Sequence, residues 1–92
     1  MSKPILALFQ ISPADSEDVD RWFTYLPEPG TIKQIQAAES ITQAGKLLAL
    51  AILRNMPRCA DRSSAVRKVR EAVNSAIDGV MHESAHYEAK VE

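Results

Sequence analysis

The chain has 92 residues and a formal net charge of −1, which allows one small domain and leaves no room for a second. Its apolar content of 46% excludes a disordered chain, and its single cysteine excludes an internal disulfide framework. The opening residues lack the features of a secretory signal, and no stretch reaches the roughly 20 apolar residues that span a bilayer. We therefore expect a soluble cytoplasmic protein whose thin, alanine-rich core favours oligomerisation.

The first part of the chain predicts an apolar segment and one short helix. Residues 4–11 are apolar without clear alternation and predict either a short strand or an extended arm. Ser12 and Pro13 mark a helix start, because Ser is a good N-cap and Pro suits the first turn. This helix should carry Val19, Trp22 and Phe23 on one side, and a segment rich in proline ends it.

A long second helix is predicted to start at Thr31, where Gln34 completes a capping-box pattern three residues later. The helix should end near Asn55, because Pro57 disfavours helical geometry at Met56. Its apolar residues recur at helical spacing and form a broad stripe: Ile32, Ile35, Ala38, Ile41, Leu47, Leu48, Leu50, Ile52 and Leu53. A stripe this broad indicates contacts with other subunits.

A third helix is predicted after a short loop over residues 56–60, with Asp61 or Ser63 as its cap. A narrow apolar seam follows helical spacing along it: Val66, Val69, Val73, Ile77 and Val80. Two long helices joined by a short loop should pack antiparallel. The predicted fold is therefore all-α, with a short N-terminal helix plus a long antiparallel helical hairpin that oligomerises. We divide this single domain into an N-terminal arm and short helix (1–22), the helical hairpin (23–84) and a tail (85–92).

His82, Glu83 and His86 match the H-E-x-x-H pattern of zinc peptidases, which needs both histidines on one helical face and a third protein ligand. Only six residues follow His86, none of them histidine, and Cys59 should lie at the opposite end of the hairpin. The glycines are scattered, and the serines and histidines show no triad signature. We therefore interpret the pattern as a solvated helix end, and we predict no metal, no cofactor and no enzymatic activity.

Six of the eleven Lys and Arg residues are concentrated around the loop between the long helices, although the whole chain is slightly acidic. Arg58 and Arg62 flank this loop, while Arg67 and Arg70 share one face of the third helix. Backbone N–H groups over residues 61–64 should lie beside these guanidinium groups, which together suit a phosphate. The cluster is equally compatible with a solvated face or an acidic protein partner. Duplex DNA fits less well, because the basic zone is short.

Tyr25 precedes the second helix in a turn, where it can stack on a nucleobase or pack as a hydrophobic staple. Four segments follow one another in the order FTYLPEPG, QAGKLLALAI, MPRCADRSSA and KVREAV. Together they resemble the small helical-hairpin family of phage anti-defence proteins. These are the cyclic nucleotide sponges of the anti-CBASS and Thoeris anti-defence type. The family typically shows a Phe-x-Tyr-His-Pro start, an Ala-Ala-Lys-x-Leu-Ala run, a Pro-x-Ser-Arg-Glu-Lys-Ser loop and a Lys-Leu-Glu-Glu-Ala-Val helix. The resemblance covers about residues 23–80.

The resemblance implies a protein that binds cyclic di- and trinucleotide second messengers without cleaving them and so blocks bacterial anti-phage signalling. It implies a homo-oligomer, commonly a hexamer, with ligand pockets between subunits, in the cytoplasm of an infected bacterium. Matching the motifs residue by residue implies that Tyr25 stacks on a base. Lys46 matches the lysine within the family's first long helix, and Arg62 with Ser63 matches the basic-Ser pair of its loop. The family's second long helix is matched by Lys68, Glu71, Ala72 and Val73.

The chain departs from the family pattern at three positions. Leu26 stands where the family usually has His, Thr42 stands where a basic residue is common, and Ile77 stands where Asn is frequent. The matched residues and the basic cluster together give the predicted ligand-binding residues: Tyr25, Lys46, Arg58, Arg62, Ser63, Arg67 and Arg70. We predict no duplex nucleic acid and no membrane as partners. The alternative is a small oligomeric protein–protein interaction module with a basic face, and a DNA-binding regulator is a third hypothesis.

Overall fold

The computed structural model describes residues 8–24 and 30–87, and all regular structure within these ranges is helical. The elements in chain order are α1 (Pro13–Trp22), α2 (Ile32–Asn55), α3 (Ala60–His82) and a short 3₁₀ helix, η1 (Ser84–Tyr87). The prediction of an all-helical fold is therefore confirmed for the described residues. None of the helices described there combines the length and apolarity that crossing a membrane requires.

The segment before α1 is bonded to the end of α2. The N–H groups of Leu8 and Phe9 both donate to the carbonyl oxygen of Arg54, at 2.9 and 2.8 Å. Carbonyls in the last turn of a helix lack a partner within the helix, so these bonds satisfy one of them from outside. Of the strand or arm predicted over 4–11, residues 8–11 form no strand, and residues 4–7 lie outside the described ranges.

α1 begins at its predicted cap. Ser12 Oγ accepts a hydrogen bond from the Asp15 N–H at 3.1 Å, and Pro13 occupies the first turn. Val19 is 1% exposed and Phe23 is 4% exposed, so this end of the helix anchors α1 in the core. Trp22 is partly buried against the same core.

Gln34 fixes the start of α2 in two ways. Its Oε1 accepts from the Thr31 N–H at 2.8 Å, and its own N–H donates to Thr31 Oγ1 at 3.1 Å, which completes the predicted capping box. Gln34 Nε2 also donates to the carbonyl oxygen of Val80 at 3.1 Å, near the end of α3. One buried side chain therefore caps α2 and attaches it to α3. The helix ends at Asn55, as its sequence predicts.

α3 begins earlier than predicted. It starts at Ala60 with Cys59 as N-cap, and no side chain caps it. The prediction that Asp61 or Ser63 caps α3 is therefore wrong. The reason is that the Ser63 N–H donates to the carbonyl oxygen of Cys59 at 3.3 Å, which already closes the first helical turn.

α2 and α3 pack closely, and α1 contacts α2. The buried core cluster draws on all three helices and contains Val19, Phe23, Ala49, Leu53, Val66 and Val73. Gly45 lies at a close approach, because a Cβ added there would overlap Val73 Cγ2 and lie 3.3 Å from Phe23 Cε1. Glycine at this position therefore permits the contact between α2 and α3. Along α3, Val66, Val73 and Val80 are buried, as the predicted seam requires.

Candidate anion-binding site between α1 and α3

A cavity of about 270 Å³ lies between α1 and α3. It is lined by Asp15 and Trp22 of α1, Leu53 of α2, and Arg62, Ser63, Val66, Arg67 and Arg70 of α3. Three arginines thus face a single carboxylate, so the lining carries a net positive charge. Apolar side chains and one aromatic ring complete the walls. This combination of cations and apolar surface suits an organic anion.

Helical spacing brings the polar residues of α3 to one face. Ser63, Arg67 and Arg70 are separated by four and three residues, which places them on adjacent turns. Arg67 is exposed and forms no salt bridge with any described residue. Its guanidinium group therefore keeps its hydrogen-bond donors available for a ligand.

Arg62 is the buried arginine of the site. Its side chain is 9% exposed, and its Nη2 donates to Asp15 Oδ2 at 3.2 Å. Arg58 Nη2 lies 3.6 Å from the same oxygen, although the Arg58 side chain is 76% exposed. Asp15 Oδ2 is thus shared by a buried and a surface guanidinium group. Removing one partner of a buried ion pair typically costs about 3–5 kcal/mol, so Asp15 is important for holding α1 against α3.

Trp22 and Arg70 form the other wall of the cavity. Arg70 Cζ lies 5.3 Å from the centroid of the Trp22 ring, within the ~6 Å range of a cation–π contact. Trp22 is half-buried and Arg70 is exposed, so the pair lies at the boundary between core and solvent. A flat aromatic ring beside a guanidinium group is a surface on which a nucleobase can stack.

The predicted site residues meet only in part. Arg62, Ser63, Arg67 and Arg70 line the cavity, and Arg58 reaches it through Asp15.

Lys46 is not brought to the cavity within one chain. Its Nζ lies 2.9 Å from Asp20 Oδ1 of α1, and it borders a separate open cleft with Ser16, Leu50 and Arg54. The reason is that position 46 lies on the side of α2 that α1 covers. Tyr25, like Leu26, lies outside the described residues.

Fewer backbone donors are available at the start of α3 than predicted. Because α3 starts at Ala60, the Ser63 N–H lies within the helix and is already bonded to Cys59. The expectation that residues 61–64 all offer N–H groups is therefore wrong at Ser63. The N–H groups of Asp61 and Arg62 lie in the first turn of α3, at the positive end of the helix.

Two departures from the family pattern lie away from this cavity. Thr42 is buried and borders a separate cleft with Phe23, Glu39 and Gln43. Ile77 is half-buried and packs against the core. Neither residue replaces a contact within the cavity described here.

The H-E-x-x-H segment does not form a continuous α-helix. α3 ends at His82 with Glu83 as its C-cap, and His86 lies in η1. Glu83 and His86 are exposed, and His86 Nε2 lies 3.7 Å from Glu83 Oε2. The two histidines therefore lack the helical spacing of the zinc motif. Across the described residues, no group of three or more His, Cys, Asp or Glu side chains could hold a metal ion.

The sequence alone does not indicate Asp15 or Trp22 as site residues, because it predicts only that Trp22 shares one side of the first helix with Val19 and Phe23. The two lie seven residues apart, or about two helical turns, and therefore share a face of α1. That spacing is a signal for a common surface, but it does not show which helix lies opposite.

No protein-family model, curated protein or solved structure shows significant similarity to this chain.

Proposed function

We propose that this protein sequesters cyclic di- and trinucleotide immune messengers without cleaving them, and so blocks bacterial anti-phage signalling. The observation that supports this proposal is the cavity in which three arginines lie beside an aromatic ring. Arg67 and Arg70 would contact phosphate oxygens through charge-assisted hydrogen bonds, which are among the stronger hydrogen bonds in proteins. Trp22 would stack on a base once Arg70, which lies over its ring, turns toward the phosphate, and such stacking contributes about 1–3 kcal/mol per base.

The composition of the cavity favours binding over hydrolysis. Ser63 is the only hydroxyl residue of the lining, and the described lining contains no histidine or cysteine that could act beside it. Its carboxylate, Asp15, is engaged by Arg62 and lies near Arg58. Sequestration requires only affinity, which arginines and an aromatic surface supply.

We propose that the protein acts as a homo-oligomer of antiparallel hairpins in the cytoplasm of an infected bacterium, with a hexamer as the expected assembly. The cavity lies slightly below the roughly 300–1,000 Å³ of typical small-molecule sites, so a neighbouring subunit would enclose the rest of a cyclic dinucleotide. An open apolar groove elsewhere on the surface offers the contact. Large apolar side chains on both walls, Ile41 and Leu48 on α2 and Val69 and Val73 on α3, alternate with smaller residues. The same groove on a second copy could therefore pack against it in reversed order.

Calorimetric titration with a panel of cyclic di- and trinucleotides tests the function directly. We expect tight binding of at least one of them, with chemically unchanged ligand recovered by chromatography afterwards. A cleaved ligand would show an enzyme, and no binding across the panel would reject the proposed function.

The alternative is a small helical interaction module that binds an acidic protein. The exposure of Arg58, Arg67 and Arg70 favours it, because exposed cations can meet a macromolecule as well as a small ligand. Ion pairs at a protein surface are screened by salt. Salt-sensitive association with an acidic protein, together with no affinity for any nucleotide of the panel, would support this alternative.

A further inference from the structure

We propose that the Asp15 carboxylate occupies the position of a ligand phosphate, and that an incoming phosphate group displaces it from Arg62 and Arg58. This inference rests on the proposed binding function of the same cavity. It adds a competitor within the chain itself, which makes Asp15 a residue that sets the affinity of the site for anions.

The geometry at Asp15 resembles that of a bound oxyanion. A single oxygen, Oδ2, lies 3.2 Å from Nη2 of Arg62 and 3.6 Å from Nη2 of Arg58. The first turn of α3, with its positive helix end, lies between these two arginines in the sequence. Paired guanidinium groups at a helix start are a common way to hold phosphate. Here the chain provides its own anion at that position.

Burial explains why an anion is needed here. The Arg62 side chain is 9% exposed, and a buried guanidinium group without a counter-charge is strongly unfavourable. Asp15 meets this need when no ligand is bound. A phosphodiester carries the same single negative charge as a carboxylate, so exchanging one for the other leaves the charge around Arg62 unchanged.

The Asp15 side chain is placed so that it can leave without unfolding α1. It lines the cavity and is 22% exposed, so solvent lies close to the carboxylate. The Asp15 backbone N–H is held separately by Ser12 Oγ at 3.1 Å. Rotation of the side chain alone would therefore release Arg62 and Arg58 to a phosphate while the helix cap stays intact.

Asp15→Asn tests the exchange, because the amide keeps the shape of the side chain and removes its charge. The probe is inorganic phosphate, compared with chloride at equal ionic strength. We expect the variant to unfold at a lower temperature than the wild type in chloride, and phosphate to recover most of that loss. In calorimetry, phosphate should bind Asp15→Asn at least tenfold more tightly than it binds the wild type.

Two further variants separate specific binding from general effects. Glu17→Gln makes the same change of charge at an exposed position of α1, and its response to phosphate should equal that of the wild type. This control also measures the general stabilisation that phosphate salts give to folded proteins. The double variant Asp15→Asn, Arg62→Gln lacks the buried charge, so it should fold in chloride and respond to phosphate no more than Glu17→Gln does.

The proposal fails if phosphate stabilises Asp15→Asn no more than Glu17→Gln, or if Asp15→Asn stays unfolded in both salts. Either result would leave the ion pair as a purely structural link between α1 and α3. The outcome is independent of the nucleotide titration. A wild type that binds no cyclic nucleotide would reject the proposed function, while tight phosphate binding by Asp15→Asn would still support the displacement.

Discussion

The arginines of the cavity differ in burial, and this difference decides what a substitution at each of them would report. Arg62 is buried against Asp15, so its loss would disturb the contact between α1 and α3 as well as any ligand. Arg70 rests on Trp22, and Arg58 lies close to Asp15. Arg67 alone among these arginines has an exposed side chain without such a contact within the described residues.

Arg67→Gln should therefore weaken ligand binding without changing stability. Losing one charge-assisted hydrogen bond typically costs about 1.5–3 kcal/mol, so the dissociation constant for the bound cyclic nucleotide should rise at least tenfold. The melting temperature should stay near that of the wild type, because exposed substitutions usually change stability by less than about 0.5 kcal/mol. Calorimetry and circular dichroism measure the two effects. Lys33→Gln, at an exposed position of α2, is the matched control, and equal affinity of both variants would remove Arg67 from the site.

A second prediction at the scale of one side chain concerns Gln34. In Gln34→Glu, a carboxylate can still accept from Thr31, but it cannot donate to the Val80 carbonyl as Nε2 does. The carboxylate oxygen of the glutamate would then face the carbonyl oxygen of Val80, and neither can donate a hydrogen bond. The free energy of unfolding should therefore fall by about 1–3 kcal/mol. Urea unfolding measures this loss. Gln36→Glu, an exposed change of the same kind, should leave stability nearly unchanged, and equal losses in both variants would contradict this role of Gln34.

Between helices, α2 and α3 approach closely at Gly45. A methyl group at this position would overlap Val73 Cγ2, so Gly45→Ala should push α2 and α3 apart. Overpacking a core typically costs about 1–3 kcal/mol, which exceeds the ~1 kcal/mol that alanine gains over glycine within a helix. We therefore expect a net loss of stability in urea unfolding.

Gly79→Ala should change the stability of the same fold in the opposite direction. Apart from its chain neighbours and the backbone of its own helix, no described residue has an atom within 4 Å of a Cβ built at Gly79, so helix propensity is the main change and the variant should be more stable. Adding Val73→Ala to Gly45→Ala should recover part of the loss, because it removes the overlapping methyl group. Stabilisation by Gly45→Ala alone would show that the two helices do not approach closely at this point.

Helix boundaries were predictable where the signal is local. The cap of α1 and the capping box of α2 each join residues three positions apart, so the sequence pattern contains the whole interaction. The start of α3 was not predictable, because no side-chain cap marks it and both predicted caps, Asp61 and Ser63, lie inside the helix. Only part of the cavity could be predicted. Its arginines are clustered in the sequence, whereas Asp15 and Arg62 lie 47 residues apart. Only the packing of α1 brings them together.

At the scale of the whole molecule, the apolar groove between α2 and α3 is the proposed contact between copies of the chain. Leu48 is 53% exposed and lines this groove, so Leu48→Gln should weaken self-association by removing apolar contact area. Size-exclusion chromatography with light scattering should show a shift toward smaller species. Ile32→Gln is the control, because Ile32 is 74% exposed but does not line the groove. An unchanged mass for Leu48→Gln, or a monomeric wild type, would exclude the groove as the subunit contact.

The bonds that attach the N-terminal part of the chain have a consequence for the order of folding. α2 and α3 are joined by only four residues, 56–59. In contrast, the contacts of Leu8 and Phe9 with Arg54, and of Asp15 with Arg62, form only after a long loop has closed. Loop closure costs more entropy as the loop grows, so the pair of long helices should form first and α1 should dock last.

The last element to dock is also the one that leaves most readily, because local unfolding can release it while the rest of the chain stays folded. Amide protons of α1 should therefore exchange with solvent faster than those in the middle of α2 and α3. Each such event removes Asp15 and Trp22 from the cavity and exposes Arg62, the buried arginine of α3. Entry of the proposed ligand would then require no permanent channel, because brief detachment of α1 would open the cavity.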